Sequence, residues 1–459
     1  MKNIKKFAWE KILDLKGDIT QTFHAYEQWQ WLDEEQTHAL QQRRLATLLL
    51  HAYQHVPYYR QVLAKAGVAD DTGRISLENF ARIPLLDKSI IRGNYENLKS
   101  DDLSARKWIE NTSGGSTGEP VRLVQDDYFN NVVVAIKLLF DQWSGCEIGG
   151  KKALLWGSER DLFVGRETLR THIGRWLRSE MCLNALRMTY EQMHEFVARI
   201  NAFRPVQILA YASSIYELSR FVEREGLQVY SPQAVMTSAG TLYPHMRETI
   251  GRVLKSPVFN RYGSREVGDV ASECDSHKGL HVSALTHYVE ILRPDGTEAG
   301  PGEMGEITIT LLSNYAMPLV RYRIEDIGGW AEKGCACGRS WPLLKEIAGK
   351  VTDIFITKSG IRVDGGYFEM LFYPHDWVER YQVIQEDYEH VRVVIVPRAR
   401  VSNPQEHYMR EVRTISEKIC FVMGRDCRID FEYVDTIAPT PSGKYRFTLS
   451  KVAPDATRP

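Results

Sequence analysis

Between Leu32 and Lys65 leucines, tyrosines and histidines recur at helical spacing, which predicts amphipathic helices that break at Pro57 and stop at Gly67. Beyond Gly150 the texture changes. Short apolar, β-rich runs (Ala153 to Trp156, Val206 to Tyr211, Ala234 to Ser238, Pro257 to Asn260) alternate with helical patterns such as Tyr190 to Phe203 and Ser214 to Glu225. That alternation predicts βαβ units and a largely parallel sheet. From His287 to Asp326 strands are separated by turn signals, among them Pro294-Asp295-Gly296, and a hairpin-built sheet is expected there. The C-terminal stretch is a separate α+β pattern, with strands over Asp353 to Thr357, Ile361 to Asp364, His390 to Val396 and Arg428 to Val434 and a helix over Pro404 to Val422. The expected fold class is therefore α/β, with a large N-terminal body over residues 1–350 and a small C-terminal domain over 351–459.

Across 459 residues, 58 basic and 59 acidic side chains leave a formal charge of −1. No global field exists to draw in a nucleic-acid backbone, so any anion must be gripped locally. The early lysines are followed by no uninterrupted apolar stretch, which argues against a signal peptide. The run from Val132 to Phe140 is broken by Lys137 and is too short to span a bilayer. The expectation is a cytoplasmic protein without membrane insertion. Seven cysteines, an odd number over a long chain, do not suggest a disulfide framework.

The most informative segment is Thr112-Ser113-Gly114-Gly115-Ser116-Thr117-Gly118-Glu119-Pro120. Small hydroxyl residues and glycines let successive backbone N–H groups face a polyanion with no Cβ in the way. The segment lacks the Gly-Lys-Ser/Thr ending of a Walker loop, so a standard nucleoside triphosphatase is disfavoured. A second constellation is independent of it. Cys274 and His281, followed by Cys335-Ala336-Cys337-Gly338, offer thiolates and an imidazole in two short groups, as a closed tetrahedral zinc site requires, with His277 competing for the fourth position. His51 and His55 share a predicted helical face, where packing is the expected role.

In order and spacing, further segments resemble the adenylate-forming (acyl-CoA synthetase) superfamily, in its phenylacetate-CoA ligase-like and capsule-biosynthesis-type branch. Val56-Pro57-Tyr58-Tyr59-Arg60 and Ile83-Pro84-Leu85-Leu86-Asp87-Lys88 are similar to that branch's N-terminal signatures. Thr112 to Pro120 is similar to the phosphate loop, Asn260 to Glu266 to the Tyr-Gly-x-x-Glu motif, and Arg321 to Asp326 to the Tyr-Arg-Thr-Gly-Asp motif. Gly349 to Asp353 resembles the hinge motif, and Pro441 to Arg446 the C-terminal lysine motif.

The resemblance implies that Ser113, Gly115, Ser116, Thr117 and Gly118 cradle phosphate. It places Ser238, Ala239 and Gly240 against adenine, and Arg261, Tyr262 and Gly263 at the nucleotide with Tyr262 stacked on the base. Asp326 would accept from the ribose hydroxyls and Lys350 would lie nearby. Glu266 would hold Mg2+, whose charge offsets the phosphates. Lys444 would stabilise transition-state charge between the attacking carboxylate and the α-phosphate, and Asp353 would be the pivot of a mobile C-terminal lid. Some relatives carry a similar Cys/His plus Cys-x-Cys arrangement, read as structural zinc; here it would comprise Cys274, His281, Cys335 and Cys337. Three departures stand out: Glu119 in place of a common lysine, Lys350 in place of arginine, and Glu325 in place of glycine.

The function implied is ATP-dependent conversion of a carboxylic acid, aromatic or otherwise apolar, to an acyl-adenylate, followed by transfer to coenzyme A. The acid pocket would be lined from Val132 to Trp143, Tyr211 to Ser214 and Ser238 to Thr241. Three alternatives remain open: transfer to an amine or hydroxyl, a catalytically silent nucleotide-binding scaffold, and a zinc-organised interaction module.

Overall fold

The computed structural model describes residues 2–112, 121–157, 169–185, 187–348, 354–372, 375, 377–398, 407–437 and 447–452. The chain opens with helices α1 (Lys2–Gly17), α2 (Ile19–Trp29), α3 (Glu34–His55), α4 (Pro57–Lys65) and α5 (Lys88–Gly93). Asp33 caps α3 by accepting from the Gln36 N–H while the Gln36 side chain returns to the Asp33 N–H. Pro57 ends α3 and starts α4 at its first turn, as the sequence predicts. A hairpin, β1 (Trp108–Thr112) and β2 (Arg122–Asp126), then leads into α6 (Asp127–Trp143), which Asp126 caps through the Phe129 N–H.

Next come β3 (Lys152–Trp156), α7 (Leu169–Arg178), β4 (Glu180–Asn184), β5 (Arg187–Met188), α8 (Tyr190–Phe203), β6 (Gln207–Tyr211), α9 (Ala212–Arg224), β7 (Ala234–Ser238) and α10 (Pro244–Leu254). They are followed by β8 (Val258–Ser264), β9 (Gly268–Glu273), β10 (Leu280–Val282), β11 (His287–Leu292), β12 (Met304–Leu311), β13 (Tyr322–Trp330) and β14 (Leu343–Ala348). The C-terminal elements are β15 (Ile354–Ile356), β16 (Arg362–Asp364), α11 (Gly365–Phe372), β17 (Val378–Asp387), β18 (His390–Pro397), α12 (Met409–Met423), β19 (Arg428–Tyr433) and β20 (Thr448–Ser450). Among the described residues no helix is long and apolar enough to cross a membrane.

The described chain forms two compact units. The first, residues 2–112, 121–149 and 259–348, is built on an antiparallel sheet ordered β11-β12-β13-β14-β10-β9-β8, the hairpin-built sheet the turn signals predict. One core packs α3 and α4 against it through Leu45, Leu48, Leu49, Tyr59, Val270, Ile307 and Tyr322. A second core joins α1 and α2 to α6 through Leu13, Phe23, Tyr26, Val132, Ile136 and Phe140. The helix expected to line an acid pocket thus spends its apolar face, Trp143 included, on the N-terminal helices.

The second unit holds the described residues of 150–258 and those from 354 onward. Strands β7-β6-β3-β4 are parallel, with α8 and α9 supplying crossovers and a core of Leu155, Phe196, Ile208, Leu218 and Val235. Hairpin β15–β16 pairs with β5, and β19-β18-β17-β20 form a mixed sheet covered by α11 and α12. The α/β class with a C-terminal α+β region agrees with the sequence pattern; the expected boundary at 350/351 lies outside the described residues.

Candidate functional site

In the first unit, β8 carries Arg261, Tyr262 and Gly263, and the turn into β9 carries Glu266. A Cβ on Gly263 would lie 2.4 Å from the Gly268 carbonyl oxygen, so only glycine allows this close turn. Glu266 is 6% exposed. Gln125 Nε2 donates to its backbone carbonyl at 3.3 Å, yet among the described residues its carboxylate accepts no hydrogen bond. A carboxylate left open by the protein's own donors is free to meet a hard cation.

Tyr262 donates its hydroxyl to Asp326 Oδ2 at 2.8 Å. Burial, then the charge of Asp326, holds this phenol well above its usual range, so it acts as a donor at neutral pH. Arg261 points from the opposite side of β8, by strand alternation. Its guanidinium is buried, with Nε 3.4 Å from Asp269 Oδ1, and neither Nε nor Nη1 makes a hydrogen bond.

The strand delivering Asp326 is braced by both N-terminal signatures. Tyr59 donates to the Pro318 carbonyl at 3.1 Å and accepts from the Val320 N–H at 3.1 Å. The Leu86 N–H donates to the Arg321 carbonyl, and the Leu86 carbonyl accepts from the Arg323 N–H, each at 2.9 Å. Arg321 is buried in an ion pair with Glu290 at 2.9 Å and donates to the Ile83 carbonyl at 2.7 Å. Glu325, where the motif has glycine, sits at φ 67°, which costs about 1–2 kcal/mol for a residue with a Cβ. Buried Lys88 meets its carboxylate at 2.7 Å and offsets that strain.

In the second unit, Ser238 ends β7, Ala239 turns at φ 53°, and Gly240 lies 3.9 Å by its would-be Cβ from the Ala212 Cβ. The Thr241 hydroxyl is buried without a partner, and Tyr211 packs at a tilt of 37° against Trp156 with ring centroids 4.2 Å apart. Ser113, Gly115, Ser116, Thr117, Gly118, Lys350, Asp353 and Lys444 lie outside the described residues.

The structure brings Cys274, His281, Cys335 and Cys337 together, with all four ligand atoms within 4.8 Å of one another. Cys274 Sγ is 3.5 Å from Cys335 Sγ, and Cys337 Sγ is 3.4 Å from His281 Nε2. A tetrahedron of 2.3 Å zinc–sulfur bonds has edges of about 3.8 Å, so the donor set fits. His281 Nδ1–H donates to the Trp341 carbonyl at 3.1 Å, turning Nε2 toward the thiols. Burial lowers the His281 pKa, keeping the ring neutral, and raises the Cys274 thiol to about 12. Bound zinc would reverse the latter, since a coordinating thiol deprotonates. His277 is turned away, its Nδ1 3.1 Å from Glu273 Oε2.

Around this cluster Arg339 lies between the rings of Trp31 and Trp143, 4.7 and 4.5 Å from their centroids. Gln30 Oε1 accepts from both Arg339 Nε (2.8 Å) and Trp143 Nε1 (2.7 Å). His51 and His55 bind no common centre: His51 Nε2 is 2.9 Å from the Tyr315 carbonyl, and His55 Nδ1 is 2.8 Å from Asp101. Sequence reading missed Trp341, Gln30, Arg339 and the pairing of Lys88 with Glu325; of these only Lys88 and Glu325 lay in recognised motifs.

Residues 355–451 match the family described as the CapK C-terminal domain. Over 449 residues the chain is 22% identical to protein CapK of Staphylococcus aureus, covering 96% of each. It is 27% identical to the phenylacetate-coenzyme A ligase of Thermus thermophilus, over 77% of this chain and 79% of that one. Its fold is that of 2-hydroxyisobutyryl-CoA ligase, whose crystal structure with 2-HIB-AMP and CoA in the thioesterification state aligns with a TM-score of 0.58 at 17% identity, covering 91% of this chain and 90% of that one.

Proposed function

We propose that the chain is an adenylate-forming ligase of the phenylacetate-CoA ligase-like, CapK-type branch that it resembles, and that it uses ATP to convert a carboxylic acid to an acyl-adenylate, releasing pyrophosphate, and passes the acyl group to coenzyme A. The observation that carries this reading is the hydrogen bond that fixes Asp326 to Tyr262 in the same unit as the turn bearing Glu266. Glu266 would hold Mg2+, which supplies charge to offset the phosphates. Asp326, fixed by the Tyr262 hydroxyl, would receive the ribose hydroxyls, while Tyr262 presents its ring to adenine. Ser113 to Gly118 would bind phosphate through backbone N–H groups, and Lys444 would neutralise charge where the acid attacks. Cys274, His281, Cys335 and Cys337 would hold a structural zinc, since four protein ligands leave no open position for substrate.

Transfer to an amine or hydroxyl is a second reading. The CapK likeness, which covers 96% of the chain against 77% for the Thermus ligase, names no acceptor and leaves this reading open. Pyrophosphate release from ATP against a panel of aromatic and aliphatic acids, with and without coenzyme A, tests both. Release that yields acyl-CoA supports the first reading. Release with no acyl-CoA moves the conclusion to the second, and no release with any acid, while ATP still binds, returns weight to a silent scaffold.

A further inference from the structure

Asp326 is carried by an irregular stretch of β13. Against β12, Arg323 pairs with Thr308 and Ile327 with Glu306, so Ile324, Glu325 and Asp326 together oppose the single residue Ile307. Such a bulge re-aims the side chains it carries. This one turns at Glu325, whose φ of 67° is the left-handed conformation that suits glycine. It delivers the Asp326 carboxylate to within 2.8 Å of the Tyr262 hydroxyl. A residue with a Cβ persists in that conformation only where its surroundings impose it.

The imposing contact comes from the second N-terminal signature. Leu86 is bonded through its N–H and its carbonyl to Arg321 and Arg323 of the neighbouring chain stretch. The Asp87 carboxylate accepts from the Ile90 N–H at 2.8 Å to start α5, and Lys88 is the first residue of that helix. The Lys88 backbone is thereby fixed beside β13, and its buried side chain reaches the Glu325 carboxylate at 2.7 Å. We propose that Lys88 is a positioning residue for the nucleotide site: by holding the Glu325 carboxylate it keeps the bulge in the conformation that presents Asp326 beside Tyr262. An ion pair does here what the motif's glycine does unaided. This inference rests on the ribose role proposed for Asp326.

The test is calorimetric binding of ATP with Mg2+ to the full chain and its variants. Lys88→Met keeps a buried apolar stem and removes the ammonium; it should weaken ATP about tenfold as the bulge relaxes. Adding Glu325→Gly to it should return most of that affinity, because glycine holds the turn without an ammonium. A lysine that only stabilised the fold would give no such rescue. Glu325→Ala and Glu325→Gly both take the carboxylate from Lys88 and differ in the Cβ alone. The glycine variant should therefore bind ATP about tenfold tighter than the alanine variant, a comparison that holds even where Lys88→Met does not fold. Wild-type affinity in Lys88→Met, a double variant as weak as the single one, or equal binding by the alanine and glycine variants would each overturn the proposal. Asp326→Asn separates the two levels: if it weakens ATP while Lys88→Met does not, only the Lys88 role fails. If Asp326→Asn binds as the wild type does, or the wild type binds no ATP, the ribose role of Asp326 fails with it.

Discussion

The Cys274 cluster and the Glu266 cluster occupy the same unit and are built on opposite principles. Around Cys274 the polar groups are answered by protein: thiol meets thiol, His281 donates to Trp341, and Gln30 accepts from both Arg339 and Trp143. The Trp341 indole N–H is buried there without a partner among the described residues. Around Glu266 important groups are unanswered among the described residues: the Tyr322 hydroxyl and, across the strand, two nitrogens of Arg261 make no hydrogen bond, and no protein donor meets the Glu266 carboxylate. A protein closes what must hold its fold together and leaves open what a ligand will complete. The first cluster therefore predicts stability effects, and the second predicts binding effects.

Two substitutions test that division at full strength. Replacing Cys335 and Cys337 together by serine removes half of the ligand set beside the core of Leu13, Phe23 and Trp341. Zinc content, folded fraction and activity should fall together, because metal-binding free energy is folding free energy. A folded, active, zinc-free double variant would reduce the cluster to ordinary buried thiols. Lys444→Ala should leave the fold and ATP affinity nearly intact while lowering acyl-adenylate formation about 10²–10³-fold, the range for losing one transition-state donor. Loss of ATP affinity by the same factor would remove the residue from that role.

A pH effect of intermediate size links the scaffold to the Glu266 turn. His287 Nε2–H donates to the Val267 carbonyl, next to Glu266, at 2.8 Å, and burial lowers its pKa to about 4. Unfolded, the ring takes a proton near its ordinary value of about 6.5. Between these values the unfolded chain binds more protons than the native one, so stability is complete above pH 6.5 and is lost as pH falls toward 4. At pH 5 the loss is about 2 kcal/mol. Denaturant unfolding at pH 7 and pH 5, compared with His287→Gln, checks it: the variant should be less stable at pH 7 but show a shallower acid slope. Parallel slopes would assign the acid sensitivity to other groups.

What could be read without coordinates follows from sequence distance. The β-strand and helix periods on either side of Gly150 and the Pro57 break are local patterns, and the structure contains them. Cys274 with His281, and Cys335 with Cys337, were legible because each half is short. Choosing His281 over His277 was not, since it depends on the Trp341 carbonyl and on Glu273 holding the other ring. The N-terminal helices over residues 2–29 were missed although Leu13, Phe23 and Tyr26 are buried, because their partners lie on α6 and on the loop after Cys337. Glu325 read as a departure from glycine. Its compensation by Lys88 is a tertiary pairing across 237 positions, which no local pattern encodes.

The smallest predicted effect sharpens the comparison most, because it loosens the closed cluster without touching a ligand. Arg339→Met keeps an apolar stem between Trp31 and Trp143 but removes the charge over both rings and the Nε–H to Gln30. The expected cost is about 1–2 kcal/mol, from two cation–π contacts and one hydrogen bond. Since Gln30 ends α2 and Trp31 follows it, the cost should fall on docking of the N-terminal helices. Zinc content should stay at the wild-type level, whereas tryptic cleavage within residues 2–29 should quicken about tenfold, as the opened population grows by that free energy. If zinc is lost as well, the helices and the metal form one cooperative element. If cleavage keeps its wild-type rate, the stack contributes nothing, and Leu13, Phe23 and Tyr26 hold α1 and α2 on their own.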